Sequence, residues 1–315
     1  MMPAHVRRSI FWVRSRERAR VPWLIAIPLL GAFVATSAGA LVPGELALPV
    51  EALLASSAPA AAAVLLVAAS SRWLGGRSLA DYGLAIDRRW LIDLAAGLGI
   101  GALAVSAPYL VAIGGGWARV VAAFDAGDLA LGTGILLYVL AMLCTGLWEE
   151  LVLRGVFLCN AADGLRRWLS PHRAVAGGLA LSTLVFALGH LGQAGVSATL
   201  LTFLLSGVVL GVVYLYSGHL ALVIGAHAAF NLASNVLFAR AGGPADGLSA
   251  IMRIEVDANL PLLAQGGVLE FAAFVLLGML GLLWLRYARG SVELRLAALG
   301  LDTDPDVEEP TNQPA

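Results

Sequence analysis

The chain has 315 residues, 59% of them hydrophobic, with a mean hydropathy of +0.84 and only 13% charged residues, against roughly 25% charged in a soluble domain. That composition excludes an ordinary water-soluble globule. All twenty basic residues are Arg, and the formal net charge of −1 gives no overall attraction to nucleic acid.

Residues 1–20 carry Arg7, Arg8, Arg14, Arg16, Arg18 and Arg20 ahead of a first apolar run at about 21–42. Positive charge beside a span predicts a cytoplasmic start. Ser37-Ala38-Gly39-Ala40 looks like a signal-peptidase site, but the run is longer than a usual signal core, and the later topology is the same with or without cleavage. Further runs fall near 48–70, 91–113, 132–158, 174–191, 196–216, 219–238 and 267–285, each about the length that crosses a hydrocarbon core roughly 30 Å thick. The expectation is an all-α, polytopic transmembrane bundle of about eight helices.

The loop at 71–90 holds Arg72, Arg77, Arg88 and Arg89, and the loop at 159–173 holds Arg166, Arg167 and Arg173, whereas 114–131 and 239–266 carry only Arg119, Arg240 and Arg253. This alternation predicts cytoplasmic termini. The chain divides into the Arg-rich 1–20 segment, a membrane domain over 21–288 and a tail over 289–315, whose Asp302, Asp304, Asp306, Glu308, Glu309 and prolines predict disorder. Cys144 and Cys159 lie about 22 Å apart on one predicted helix, too far to bridge. Gly97 with Gly101 and Gly207 with Gly211 are spaced to let helices approach closely in lipid.

Ionisable groups inside membrane helices cost roughly 2.5–3.5 kcal/mol each on insertion scales, so a group of them calls for mutual pairing or a wet cavity. The fourth predicted span carries Glu149, Glu150 and Arg154, the fifth Phe186 and His190, the seventh His227 and Asn231. Residues four apart share a helix face, so Arg154 reaches Glu150 while Glu149 points about 100° around the axis toward another partner. Glu149, His190, His227 and Asn231 can then face one cavity, with Glu150 and Arg154 as a brace.

A carboxylate held out of water is a stronger base, a nearby His can orient or share the proton of a water, and His and Asn side chains suit an oxyanion. Alternatively, Glu149, His190 and His227 could hold a divalent metal such as zinc with water at the open position. The residues leave these two schemes open.

Glu149-Glu150-Leu151-Val152-Leu153-Arg154, Phe186-Ala187-Leu188-Gly189-His190 and His227-Ala228-Ala229-Phe230-Asn231 resemble the motifs EExxxR, FxxxH and HxxxN of the CPBP family, the CAAX proteases and bacteriocin-processing or bacteriocin-immunity intramembrane endopeptidases. Ser78-Leu79-Ala80-Asp81-Tyr82-Gly83-Leu84 resembles a segment found upstream in the same family. The resemblance covers about 132–240 and implies a protease core there. It implies an endopeptidase acting on a peptide or membrane-protein segment, with Glu149 as base, His190 assisting it, and His227 and Asn231 holding the oxyanion. The family is often labelled a metalloprotease, and a metal-independent water activated by glutamate is the competing scheme, which we favour. An Arg-only, Ala- and Gly-rich chain points to a bacterial plasma membrane.

No HExxH, GxGD or GxSG motif of the other membrane-peptidase designs is present. A non-catalytic scaffold or immunity protein is the alternative, with the polar cluster as structural glue, and a transporter is a further one. Asn235 continues the face of His227 and Asn231. Glu270 and Asp93 sit near span ends, where the interface solvates them, and His5, His172 and His219 carry no expected role. One strain remains: His190 lies roughly 24 Å into its span by helical rise, so tilt or a broken helix must bring it level with Glu149.

Overall fold

A computed structural model describes residues 12–13, 18–39, 46–191, 198–242, 245–257 and 267–301. The Arg-rich start is therefore described only at residues 12–13 and 18–20, and positions 302–315 of the tail lie outside the described residues.

Among the described residues eight helices form the bundle: α1 (Val21–Gly39), α2 (Leu48–Leu74), α3 (Arg88–Gly114), α4 (Leu131–Leu165), α5 (Pro171–Gly189), α6 (Ala198–Ser217), α7 (Ala221–Leu237) and α8 (Val268–Arg289). Local chemistry sets their ends. Asp87 caps α3 by accepting from the Trp90 backbone N–H at 2.7 Å, and Gly75 ends α2 at φ 62°, a left-handed backbone that only glycine adopts at little cost. Among the described residues seven helices are long and apolar enough to cross a membrane, and they expose large side chains such as Leu30, Phe33, Leu65, Leu103 and Leu283. The molecule is an all-α, multi-pass membrane bundle with its apolar surplus turned outward.

The remaining helix, α7, differs from the others. The run expected over 219–238 becomes a helix of 17 residues, short of the roughly 20 needed to span, and every residue from Leu220 to Phe230 is buried. A helix that is apolar all round belongs in a core. Glycines let its neighbours close on it. A Cβ on Gly97 would lie 2.2 Å from the Leu222 carbonyl oxygen, one on Gly101 2.3 Å from that of Ala226, and one on Gly146 2.9 Å from that of Ile224. Gly225 returns the contact, 2.3 Å from the Leu94 carbonyl. On the remaining side Phe230 stacks on Phe274 of α8 at 4.0 Å.

Five strands among the described residues were not anticipated. Trp12–Val13 (β1) pairs with Arg18–Ala19 (β2), and Ala118–Asp125 (β3), Ala239–Arg240 (β4) and Ala250–Val256 (β5) form a sheet in the order β3-β5-β4. β3 runs antiparallel to β5, with Ala118 opposite Val256 and Asp125 opposite Ala250, and β4 is parallel to β5. This sheet caps one end of the bundle. Buried Arg253 staples it, donating to Asp125 and to the carbonyls of Asp246 and Leu248.

The Arg-rich end is also built. Gly83, at φ 86°, presents its carbonyl to the Leu220 N–H and the Trp90 indole, while the Tyr82 hydroxyl accepts from Asn160 at 2.7 Å. Residues 290–301, the described part of the tail, pack against the bundle. Leu296, Leu299 and Leu301 are buried there, and Arg77 donates to the carbonyls of Leu299 and Gly300 while pairing with Asp163 at 2.9 Å. Three leucines supply the apolar area that the acidic stretch lacks.

Asp93 is likewise not solvated at an interface: it is wholly buried. It accepts from Arg89 at 3.2 Å, His219 at 2.9 Å and Trp284 at 2.7 Å, so a buried carboxylate is compensated by donors from three segments. His219, given no role from sequence, is one of those donors. Glu270, also assigned to an interface, accepts from Tyr109 at 3.1 Å and Arg240 at 2.9 Å.

Candidate functional site

The two glutamates sit where α4 changes pitch. Leu131–Glu149 is α-helical, Glu150–Leu158 is π-helical, and α-helix resumes at Cys159. Wide turns of this kind re-aim side chains and recur at functional sites. Here the consequence is that adjacent carboxylates bracket one ring. His227 Nδ1 lies 2.7 Å from Glu150 Oε1, and His227 Nε2 lies 3.8 Å from Glu149 Oε2. Glu150 thus does more than brace Arg154. Its Oε1 serves both the imidazole and Arg154 Nη1, the latter at 3.2 Å.

Burial is graded across the cluster. Glu150 and Arg154 are 0% and 1% exposed, Glu149 and His227 7% each, and His190 and Asn231 are only half-buried. Glu149 Oε2 has no hydrogen-bond partner among the described residues. A gap of 3.8 Å is too long for a direct bond, yet one water can hydrogen-bond to both sides of it. A carboxylate facing a guanidinium accepts, so the His227 Nδ1–H donates to Glu150 and its Nε2 faces Glu149.

His190 lies at the C-terminal end of α5, directly after its last helical residue, Gly189. The His190 Nδ1 lies 2.8 Å from the Phe186 carbonyl oxygen. A carbonyl only accepts, so Nδ1 carries a proton and a neutral ring keeps Nε2 as an acceptor. The ring is held at 4.2 Å on Phe203 and 4.6 Å on Phe186. Phe186 in turn covers the Arg154 guanidinium at 4.6 Å and meets the edge of His227 at 6.4 Å, a cation–π contact that helps compensate a buried charge. Asn231 lies one turn beyond His227 on α7, and its carbonyl accepts from Asn235 at 2.9 Å.

The structure therefore brings Glu149, Glu150, Arg154, Phe186 and His227 into one connected cluster, with His190 joined to it through Phe186. Among the described residues no three His, Cys, Asp or Glu side chains come together as metal ligands. The donor set Glu149, His190 and His227 is thus not gathered around one point, although the Nδ1 bonds of His190 and His227 leave both Nε2 atoms available. Sequence reasoning missed the direct Glu150–His227 bond, which depends on how α7 lies against α4. It also missed Ser182, whose hydroxyl donates to the Leu153 carbonyl of the π-helical turn at 2.7 Å.

Comparison with known families finds that residues 131–233 match the family model described as Rce1-like, the type II CAAX prenyl endopeptidase Rce1-like family. The matched segment is about a third of the chain and contains all three motifs, so the resemblance read from them is shown over that stretch. Comparison with curated proteins and with solved structures finds no match for this chain. Residues 131–233 are thus similar to an endopeptidase family, within a chain whose described residues include seven helices long and apolar enough to cross a membrane.

Proposed function

We propose that the protein is an intramembrane endopeptidase that hydrolyses a peptide bond with a water held by Glu149 and His227, without a metal. The observation that carries this reading is the unpartnered Glu149 Oε2 facing His227 Nε2 at 3.8 Å, with both side chains buried. Glu149 accepts the proton of the water as its oxygen attacks the carbonyl carbon, and returns that proton to the leaving nitrogen. When both ring nitrogens carry protons, His227 donates Nδ1–H to Glu150 and Nε2–H to the oxyanion, joined by the Asn231 amide. His190 offers Nε2 to orient the water, and Arg154 holds Glu150 in place.

The substrate is a peptide or a membrane-protein segment, and both termini of the enzyme face the cytoplasm of a bacterial cell. The family description names prenylated CAAX chains, so the first probe is an internally quenched peptide ending in S-farnesylcysteine and three further residues. Bacteriocin-like peptides and membrane-protein tails are sought by comparing peptides released by cells carrying the wild type or Glu149→Ala. Reconstituted Glu149→Ala and His190→Ala proteins keep their melting temperature and lose cleavage. Full biological activity in both variants would instead assign the cluster to a non-catalytic scaffold.

A further inference from the structure

We infer that Ser182 is a positioning residue that sets the depth of His190 against the glutamate pair, an assignment that rests on the peptidase reading above. Gly178, Ser182, Phe186 and His190 recur every four residues and form one face of α5. Each of the first three meets α4 at its closest approach. A Cβ on Gly178 would lie 2.7 Å from the Leu158 carbonyl and 3.0 Å from the Ala162 nitrogen. The Ser182 hydroxyl donates to the Leu153 carbonyl at 2.7 Å, and Phe186 lies on Arg154 at 4.6 Å.

This face therefore runs along α4 from Leu158 and Ala162 to Leu153 and the Arg154 side chain, and His190 follows Phe186 at its end. Ser182 supplies the one hydrogen bond in the ladder, is 2% exposed, and binds the π-helical turn itself. Glycine contact and ring packing tolerate sliding along a helix axis, whereas a hydrogen bond to a single carbonyl fixes the register. Without it α5 can shift along α4, and His190, whose own Nδ1 bond lies within α5, shifts with it. A misplacement of about 1 Å at a catalytic group costs on the order of 100-fold in rate.

The experiment compares wild type, Ser182→Ala and Ser182→Thr in nanodiscs by two readouts. The farnesylated quenched peptide gives kcat and KM, and diethyl pyrocarbonate with mass spectrometry gives the modification rate of the His190 ring, which needs no substrate. Ser182→Ala is expected to lower kcat at least tenfold with KM within about twofold, to change His190 reactivity severalfold, and to leave the melting temperature in place. Ser182→Thr restores both readouts. Unchanged His190 reactivity in Ser182→Ala, or a loss of rate that tracks a loss of melting temperature, overturns the assignment. Glu149→Gln separates the two claims: if that variant still cleaves, the peptidase reading falls while the His190 reactivity still decides the role of Ser182.

Discussion

His227 Nδ1 and Glu150 Oε1 lie 2.7 Å apart, and that bond ties the central helix α7 to the π-helical turn of α4. Removing the carboxylate leaves the Arg154 guanidinium without its ion-pair partner and the imidazole without its acceptor in a buried site. Glu150→Ala is expected to cost about 3 kcal/mol of stability, whereas Glu150→Gln keeps an oxygen for His227 and costs less. Both lower the cleavage rate, and denaturant titration in mixed micelles beside the peptide assay measures the two effects separately.

Gly97 admits the α7 backbone so closely that a methyl group there would lie 2.2 Å from the Leu222 carbonyl. Gly97→Ala must push α3 and α7 apart, at roughly 1–3 kcal/mol, and carries His227 away from the glutamates. Gly99, with open space around its would-be Cβ, is the control: Gly99→Ala leaves both melting temperature and cleavage unchanged.

Outside the membrane spans, Asp125 has its carboxyl held below the usual range, first by the hydrogen bond from Arg253 and then by the Gly127 N–H. A folded-state value that is depressed stabilises the fold above the unfolded value of about 3.9, and that stabilisation is lost as pH falls through the lower folded value. The sheet β3-β5-β4 therefore loosens in acid, below about pH 4. Hydrogen exchange over 245–257 should rise there in wild type and lose that pH dependence in Asp125→Asn.

Because Glu149, His190 and His227 are not gathered as ligands, the account predicts that purified enzyme dialysed against a strong chelator keeps its rate within about twofold. Loss of activity that zinc restores would replace the glutamate-activated water with a metal-bound one.

Much of the architecture was legible because membrane helices announce themselves by length: the runs near 48–70, 91–113 and 267–285 became α2, α3 and α8 with shifted ends. The short α7 was read as a span because composition does not distinguish lipid from protein as an apolar surrounding. β3, an eight-residue apolar run between helices, carried a visible strand signal that the membrane reading absorbed. At the site, spacing four within each motif placed Arg154 near Glu150 and Phe186 beside His190. The pairing of His227 with both glutamates depends on a change of helical pitch at Glu150, which no residue pattern in that segment encodes plainly. Asp93 was undervalued because its partners Trp284 and Arg289 lie far along the chain, and His219 because its partner is that same Asp93.

The claim that Glu149 and His227 act on one water is tested most directly by a double-mutant cycle on the farnesylated peptide, with Glu149→Gln, His227→Asn and the double variant at matched melting temperature. Two groups serving a single water fail as a unit. Each single variant is expected to lose about 100-fold or more, with the double variant no slower than the slower single. Losses that multiply in the double variant, or a Glu149→Gln enzyme that keeps the wild-type rate, would contradict it.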